Sequence, residues 1–194
     1  MSGDGGNFCG ILLAAGRSTR FGSDKLLHPL PDGTPIALAS ARAMLAAMPR
    51  VMAAVNVDNP VLARLLAAEG IVIIPAPTRD EGMGSSLAAC IAASVEASGW
   101  VVALADMPFI RPHTISGVLA ALQSGAPLAA PFFQGQRGHP VGFSSRFSKA
   151  LLALHGDEGA RQLLREHQID LGMIECTDAG VIRDIDQLGD LQEN

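Results

Sequence analysis

Short, continuous apolar runs that alternate with alanine-rich helical segments constrain the fold of this chain more than any other feature of its sequence. Such runs predict strands covered on both faces, because a half-exposed strand would alternate apolar and polar residues. Strands that alternate with helices usually pair in parallel and form a doubly wound sheet. We therefore expect a single-domain, three-layer, Rossmann-like α/β fold with a mostly parallel sheet over residues 1–194.

The predicted elements follow from these runs and from turn residues. Strands are predicted over residues 9–14, 51–57, 71–74, 100–105 and 171–175, and helices over residues 35–48, 60–69, 85–98, 112–123, 145–154 and 159–167. Ser85 or Ser86 should cap the helix that begins there, because a serine hydroxyl accepts a first-turn N–H. Residues 128–133 and 139–143 flank turn residues and predict either a hairpin or a loop that leaves the main sheet.

The composition excludes several classes of protein. Apolar residues make up 48% of the chain and charged residues 17%, which indicates a compact fold rather than a disordered chain. The net charge of −5 argues against a nucleic-acid partner. The three cysteines form no CxxC pair, so we expect reduced thiols rather than a zinc site or disulfides. Neither a signal peptide nor a membrane-length apolar run is evident, which predicts a cytoplasmic protein without a membrane partner.

A glycine-containing basic segment follows the first predicted strand. Residues 13–25 have the sequence Leu-Ala-Ala-Gly-Arg-Ser-Thr-Arg-Phe-Gly-Ser-Asp-Lys. Small residues let the backbone come close to a ligand, and N–H groups in such a turn bind anions. Arg17, Arg20 and Lys25 add positive charge, so the segment predicts a phosphate site. It matches neither a Walker A loop nor GxGxxG, and a plain turn with solvated basic residues is the alternative.

Carboxylates follow two other predicted strands. Asp106 comes directly after residues 100–105, at the sheet edge that should carry the phosphate loop. Mg²⁺ prefers one or two carboxylates together with phosphate oxygens and water, so Asp106 is the first metal-ligand candidate. Asp184 and Asp186 would share one face of an extended segment and offer a second carboxylate. A turn-capping aspartate and a solvated acidic pair are the structural alternatives.

Two further segments contain turn residues next to polar side chains. Residues 81–87, Glu-Gly-Met-Gly-Ser-Ser-Leu, allow close backbone contact with a nucleoside, although an ordinary helix start explains them equally well. Residues 135–143 contain Arg137 and His139, which could meet a phosphate. For a lone histidine, a satisfied structural role is the usual alternative. Asp157 could in the same way simply cap the helix that follows it.

These separated motifs together resemble the sugar-phosphate-type nucleotidyltransferases, and within them the MobA-like NTP transferase family. The resemblance extends from residue 10 to about residue 190 and implies that about residues 8–110 bind the nucleotide and about residues 111–194 the acceptor. It implies catalytic roles for Lys25, Asp106 and Arg17 and metal binding by Asp106 and Asp186. It further implies nucleotide contacts by Leu13, Ala14, Ala15, Gly16, Arg17, Ser18, Arg20, Lys25, Gly82, Met83, Ser85 and Asp106, and acceptor contacts by Arg137, His139 and Asp157.

The Leu-Ala-Ala-Gly spelling is similar to that of the molybdenum cofactor cytidylyltransferase (MocA-type) branch. The resemblance implies Mg²⁺-dependent transfer of CMP from CTP to molybdopterin, with Mn²⁺ as an alternative ion and a molybdoenzyme or its chaperone as a further partner. GTP or a sugar or alcohol phosphate are alternative substrates, and a non-catalytic cofactor chaperone is the alternative of another class. Relatives usually continue after Asp186 with Thr-Pro-Glu-Asp, whereas residues 187–190 here are Gln-Leu-Gly-Asp.

Overall fold

The computed structural model describes residues 7–16, 24–76, 82–156 and 160–191. Its strands are β1 (Phe8–Ala14), β2 (Val51–Asn56), β3 (Val72–Ala76), β4 (Gly99–Leu104), β5 (Leu128–Phe133), β6 (Gln136–Arg137), β7 (Val141–Ser144) and β8 (Leu171–Glu175). Its helices are α1 (Ile36–Ala47), α2 (Pro60–Ala68), α3 (Gly82–Ala92), α4 (Pro112–Gln123), α5 (Ser148–Leu152) and α6 (Arg161–Glu166). Short 3-10 helices cover Lys25–Leu27, Ser145–Phe147, Gln168–Asp170, Ala179–Ile182 and Leu188–Leu191.

The strands form one mixed sheet in the order β3-β2-β1-β4-β7-β5-β6, and β8 pairs with β5. Strands β1 to β4 pair in parallel, and so do β5 and β8. Strand β7 runs antiparallel between β4 and β5, so the segment after β5 stays in the main sheet rather than leaving it. This settles the alternative that the sequence left open. It also confirms the predicted single α/β domain with a mostly parallel sheet.

The core forms two apolar layers, one on each face of the sheet. In β1, Leu12 packs toward α1, α2 and α4, whereas Cys9 and Ile11 pack toward α3, α5 and α6. All three side chains are fully buried, as expected for a strand covered on both faces. Among the described residues, no helix is long and apolar enough to cross a bilayer.

The predicted limits of α3 are wrong at both ends. It begins at Gly82, so Ser85 and Ser86 lie inside the helix and neither caps it. Instead, the Gly84 N–H donates to the carbonyl oxygen of Gly156 at 2.8 Å, which satisfies a first-turn donor from a distant segment. The helix ends at Ala92, well before residue 98, and the Ser94 hydroxyl then donates back to the Cys90 carbonyl at 2.7 Å.

The C-terminal segment, which we define as residues 178–191, packs along the loop that follows β4. Asp178 is 1% exposed, and its carboxylate accepts from Arg111 N at 2.9 Å, Thr114 Oγ1 at 2.7 Å and Gly180 N at 3.1 Å. Gly180 contacts this loop so closely that a Cβ there would lie 2.1 Å from the Phe109 carbonyl oxygen. The segment is therefore fixed in register against the end of β4.

Candidate active site at the carboxyl edge of the parallel strands

Three charged side chains from distant parts of the sequence converge beyond the carboxyl ends of β1 and β4. The Lys25 ammonium lies 2.9 Å from Asp106 Oδ2 and 3.1 Å from Asp186 Oδ1. The lysine side chain is only 9% exposed, whereas the Asp106 and Asp186 side chains are 24% and 53% exposed. One cation therefore lies between two carboxylates whose outer sides face solvent.

Backbone hydrogen bonds position the two carboxylates. Ala105 N donates to Leu13 O at 3.0 Å, which continues the β1–β4 pairing one residue past β4 and places Asp106 at the sheet edge. The hydroxyl of Ser40, in α1, donates to the Ala105 carbonyl at 2.9 Å. On the other side, Ile185 N donates to the Asp106 carbonyl at 2.9 Å. Because Ile185 is fully buried, the aspartate that follows it is brought over Lys25.

The environment of Lys25 keeps it charged. Burial alone would lower the pKa of the lysine, but hydrogen bonds and charge from Asp106 and Asp186 outweigh burial and raise the pKa above its ordinary value. The ammonium thus compensates part of the negative charge that the two carboxylates bring to the edge. A divalent cation placed there would perform the same electrostatic task.

The donor set fits Mg²⁺ or Mn²⁺ as a partly protein-held ion. Among the described residues, no group of three or more histidine, cysteine or acidic side chains is arranged to hold a metal. Two carboxylates do meet, at Asp106 and Asp186, through contacts with the same ammonium. Mg²⁺ characteristically takes one or two carboxylates and completes its shell with phosphate oxygens and water. The site therefore suits a metal that arrives with a polyphosphate.

The short helix that carries Lys25 is tied to the second strand–helix connection. Asp24 caps this helix, since its Oδ1 accepts from Leu26 N at 3.2 Å. The other carboxylate oxygen of Asp24 accepts from the side-chain amide of Asn59. Asn59 in turn caps α2 by accepting from Leu62 N at 3.1 Å. Lys25 is thus held at the edge by a chain of side-chain caps.

The predicted nucleotide-binding residues lie on both sides of this edge where the structure describes them. Leu13 and Ala14 end β1, and Ala15 and Gly16 follow; a Cβ on Gly16 would meet no atom of the described residues within 4 Å. Gly82, Met83 and Ser85 lie in the first turn of α3, where Met83 is 44% exposed. Arg17, Ser18 and Arg20 lie outside the described residues.

Asn56 is a polar residue at this edge that sequence reasoning did not single out. It ends β2 and is 7% exposed, and its Oδ1 accepts from Asp58 N at 2.9 Å. Its Nδ2 is buried without a hydrogen-bond partner among the described residues. Met52 and Ala54 pack toward α3, and strand alternation puts Asn56 on that same face. The only available signal was an amide at the end of an otherwise apolar run.

The predicted acceptor-binding residues lie around β6 and β7. Arg137 is exposed on β6, and His139 N donates to the Val181 carbonyl at 2.8 Å. The His139 Nδ1 is buried without a described hydrogen-bond partner. Burial and the charge of Arg137 lower the pKa of His139 to about 4, so the imidazole is neutral at physiological pH. Asp157 lies outside the described residues.

Arg161 belongs to the same neighbourhood, although no motif in the sequence assigned it a role of its own. Burial is the largest cause that lowers the pKa of Arg137, and the positive charge of Arg161 lowers it further. The charge of Arg161 also contributes to lowering the pKa of His139. Neither guanidinium forms an ion pair within the described part of the chain. The carboxylate of Asp184 acts in the opposite direction and raises the pKa of His139. Asp184 is thus associated with the histidine, while Asp186 contacts Lys25.

Comparison with known proteins identifies relatives over nearly the full chain. The profile of the MobA-like NTP transferase domain matches residues 10–171. The purine catabolism protein PucB of Bacillus subtilis (strain 168) is 29% identical over 187 residues, 91% of this chain and 90% of PucB. The nicotine blue oxidoreductase of Paenarthrobacter nicotinovorans is 27% identical over 185 residues, 91% of each chain.

Solved structures share the fold. Rv0371c from Mycobacterium tuberculosis H37Rv superposes with a TM-score of 0.83 at 24% identity and 95% coverage of both chains. A complex of Rv0371c with manganese superposes with a TM-score of 0.79 at 23% identity, again covering 95% of both chains.

Proposed function

The chain belongs to the MobA-like NTP transferase family and is a nucleotidyltransferase, and from this premise we propose that it transfers CMP from CTP to the phosphate of molybdopterin, with release of pyrophosphate. The observation that carries this proposal is the convergence of Lys25 with Asp106 and Asp186 at one sheet edge. Two carboxylates and a lysine at that edge suit a metal-bound triphosphate. The nucleotide-binding part is proposed as about residues 8–110 and the acceptor-binding part as about residues 111–194.

The proposed reaction is an in-line displacement at the α-phosphorus. A phosphate oxygen of the acceptor forms the new P–O bond while the bond to the β-phosphate oxygen breaks, and pyrophosphate leaves with that electron pair. A phosphate monoester is largely ionised at neutral pH, so the attacking oxygen needs no strong general base. Catalysis therefore depends on placing the two phosphates in line and neutralising their charge.

The proposed roles of the charged residues follow from their positions. Asp106 and Asp186 would hold Mg²⁺, or Mn²⁺ in its place, and the ion supplies charge neutralisation at the α-phosphate. Lys25, released from the two carboxylates, would bind a phosphate oxygen of the triphosphate. Arg17 and Arg20, whose proposed role rests on the sequence alone, would add positive charge to the phosphate site. Rv0371c has been crystallised as a complex with manganese, which makes Mn²⁺ a suitable probe here.

The base would bind against Leu13 to Gly16 on one side and Gly82, Met83 and Ser85 on the other. The small side chains at 14 and 15 allow close contact with a flat ring. The Nδ2 of Asn56, for which the described residues provide no acceptor, would donate to a base carbonyl at this edge. A carbonyl is present on cytosine and on guanine, so the choice of CTP rests on the Leu-Ala-Ala-Gly resemblance alone.

The acceptor would bind near Arg137, His139 and Asp157. The exposed guanidinium of Arg137 can bind a phosphate in a bidentate manner. The neutral His139 would supply a hydrogen bond rather than a charge. A molybdoenzyme or its chaperone is the proposed recipient of the product.

The direct test is pyrophosphate release with CTP or GTP, with and without Mg²⁺ and purified molybdopterin. We expect release only when nucleotide, metal and molybdopterin are all present, and faster release with CTP than with GTP. Faster release with GTP would mean that the transferred group is GMP rather than CMP. Release with a sugar or alcohol phosphate but not with molybdopterin would mean that the acceptor is that phosphate. Absence of release with every combination, together with nucleotide binding, would leave the chaperone function.

Asp106→Asn, Asp186→Asn and Asp184→Asn form a matched series of isosteric variants. The first two should lose at least about a hundredfold in turnover while nucleotide binding is partly kept, because a transition-state charge is no longer neutralised. Asp184→Asn removes a neighbouring charge without touching Lys25 and should stay within about threefold of wild type. Equal loss in all three variants would contradict the assignment of Asp186.

A further inference from the structure

Asp190 makes hydrogen bonds that bear directly on the second carboxylate of the site. Its Oδ2 accepts from Asp186 N at 2.9 Å and from Gln187 N at 2.8 Å. The two backbone donors stabilise the ionised form and lower the pKa of the Asp190 carboxyl below its ordinary value. Asp190 lies in the 3-10 helix Leu188–Leu191, so its side chain reaches back over the start of that helix.

This arrangement corresponds to one half of a capping box, in which an acidic side chain three residues into a helix accepts the N–H of the cap residue. The other half would require a serine or threonine at residue 187, where this chain has glutamine. Asp190 compensates by accepting two consecutive N–H groups instead of one. The backbone at Asp186 is therefore fixed by a side chain four residues later.

Asp190 is itself anchored to the loop after β4. Arg183 Nη2 donates to the Asp190 carbonyl at 2.8 Å. The same guanidinium lies 4.1 Å from the centre of the Phe109 ring, in a cation–π contact. Asp190 thus connects the turn at Asp186 to the loop that begins with Asp106.

Asp186 needs this support more than Asp106 does. Asp106 directly follows the β4 pairing, whereas Asp186 lies in an irregular segment and its side chain is 53% exposed. Within the described residues, the Asp186 carboxylate forms an ion pair only with Lys25, and a bound divalent ion would replace that contact. The turn closed by Asp190 then remains to hold Asp186 toward the site.

We propose that Asp190 is a positioning residue that acts through Asp186 to form the second half of the metal site. The proposal rests on the proposed function, because it assumes that Asp186 binds the divalent ion. Asp190 does not touch the ion or the nucleotide. Its task is to hold the backbone at Asp186, and this task depends on a correctly placed oxygen acceptor rather than on negative charge.

The experiment measures the dissociation constant of Mn²⁺ by electron paramagnetic resonance, for Mn²⁺ alone and for Mn²⁺ with CTP. Asp190→Ala should weaken Mn²⁺ binding about 10- to 100-fold, the usual cost of losing a partner of a metal ligand. Asp190→Asn keeps an oxygen acceptor and should stay within about threefold of wild type. Asp190→Glu keeps the charge but moves the oxygens by one methylene, and should weaken binding clearly more than Asp190→Asn.

A double-mutant cycle with Asp186→Asn separates positioning from general damage. If Asp190 acts through Asp186, Asp190→Ala should cause no further loss in the Asp186→Asn background. An equal loss in both backgrounds would overturn the proposal, and so would wild-type Mn²⁺ binding in Asp190→Ala. Equal weakening by Asp190→Asn and Asp190→Ala would also overturn it, since charge would then be the cause.

The failure of the proposed function would look different. If Asp186→Asn itself binds Mn²⁺ as wild type does, the metal assignment of Asp186 fails, whatever Asp190 contributes. Melting temperatures of all variants serve as the control for folding. If Asp190→Ala does not fold, the comparison of Asp190→Asn with Asp190→Glu still decides between placement and charge.

Discussion

Replacing Lys25 by methionine tests the electrostatic balance of the site most directly. The substitution keeps a long apolar stem but removes the ammonium that lies 2.9 Å and 3.1 Å from two carboxylates. Across 3 Å, one pair attracts by about 5 kcal/mol at an effective dielectric constant of about 20 and by about 1.4 kcal/mol in water. Because Asp186 is half exposed, its attraction to Lys25 is closer to the value in water. The cost of removing water from the Lys25 ammonium, whose side chain is 9% exposed, offsets part of both attractions.

We therefore expect Lys25→Met to lower the free energy of unfolding by about 2–3 kcal/mol in the absence of divalent metal, since two carboxylates then repel each other without a cation. For a chain of this size the melting temperature should fall by about 4–12 °C. Millimolar Mg²⁺ or Mn²⁺ should restore much of the loss, because the ion replaces the missing cation. The variant should also bind Mn²⁺ at least about tenfold more tightly than wild type.

Thermal melts at several metal concentrations measure both effects, with Lys149→Met as the matched control. Lys149 is exposed on α5, so its replacement should leave the melting temperature and its metal dependence unchanged. Turnover of Lys25→Met should still be low, because the proposed phosphate contact is gone. An unchanged melting temperature in Lys25→Met, or a loss that metal does not restore, would refute the electrostatic reasoning.

Three further predictions concern other parts of the molecule. Asp178→Ala leaves three donors unpaired around a residue that is 1% exposed and should cost about 3–5 kcal/mol in urea unfolding, whereas Asp178→Asn should cost less. Gly84→Ala places a Cβ 2.9 Å and 3.0 Å from two backbone oxygens of residues 155–156. Because Gly84 lies between Met83 and Ser85, which are proposed to bind the nucleotide, the substitution should raise the KM for the nucleotide in assays of pyrophosphate release. Gly117→Ala is the control, because its Cβ would lie 3.9 Å from the nearest described atom, and it should be neutral or stabilise α4 by up to about 1 kcal/mol in thermal melts. Equal effects of Gly84→Ala and Gly117→Ala would contradict the packing argument. The pKa of His139 is lowered from 6.5 to about 4, so the unfolded chain binds a proton at this residue before the folded protein does, and the free energy of unfolding should fall as the pH drops from about 6.5 to about 4. Urea unfolding at pH 7.5 and at pH 5 should show a smaller fall for His139→Gln than for wild type.

The parallel part of the fold followed from the sequence because its strands are continuous apolar runs. The approach of Lys25 to Asp106 followed from the same pattern, since the carboxyl ends of parallel strands meet at one edge. The start of α3 could not be predicted from the sequence, because the Gly156 carbonyl accepts from the first-turn N–H of Gly84. No local sequence pattern indicates such a contact between distant residues. The lack of a described hydrogen-bond partner for the Asn56 Nδ2 likewise results from packing, and the sequence of β2 alone does not indicate it.

Asp190 is a residue whose role the sequence alone did not indicate. The residues after Asp186 are Gln-Leu-Gly-Asp, where the sequence resemblance implies Thr-Pro-Glu-Asp, and no sequence pattern assigned Asp190 a role of its own. The structure shows that the fourth position is kept, and that its carboxylate closes the turn at Asp186. The hydrogen bond from Gln187 N to the Asp190 carboxylate shows that glutamine at residue 187 does not prevent this half of the capping box from forming.

The contacts of the C-terminal segment also bear on how the chain divides into functional parts. A nucleotide-binding part that ended near residue 110 would hold Lys25 and Asp106 but would lack Asp186. The missing carboxylate is brought in by Ile185, whose N–H binds the Asp106 carbonyl, and by Gly180, which packs against the Phe109 carbonyl. The proposed metal site would therefore be complete only when the last segment of the chain has folded onto the loop after β4.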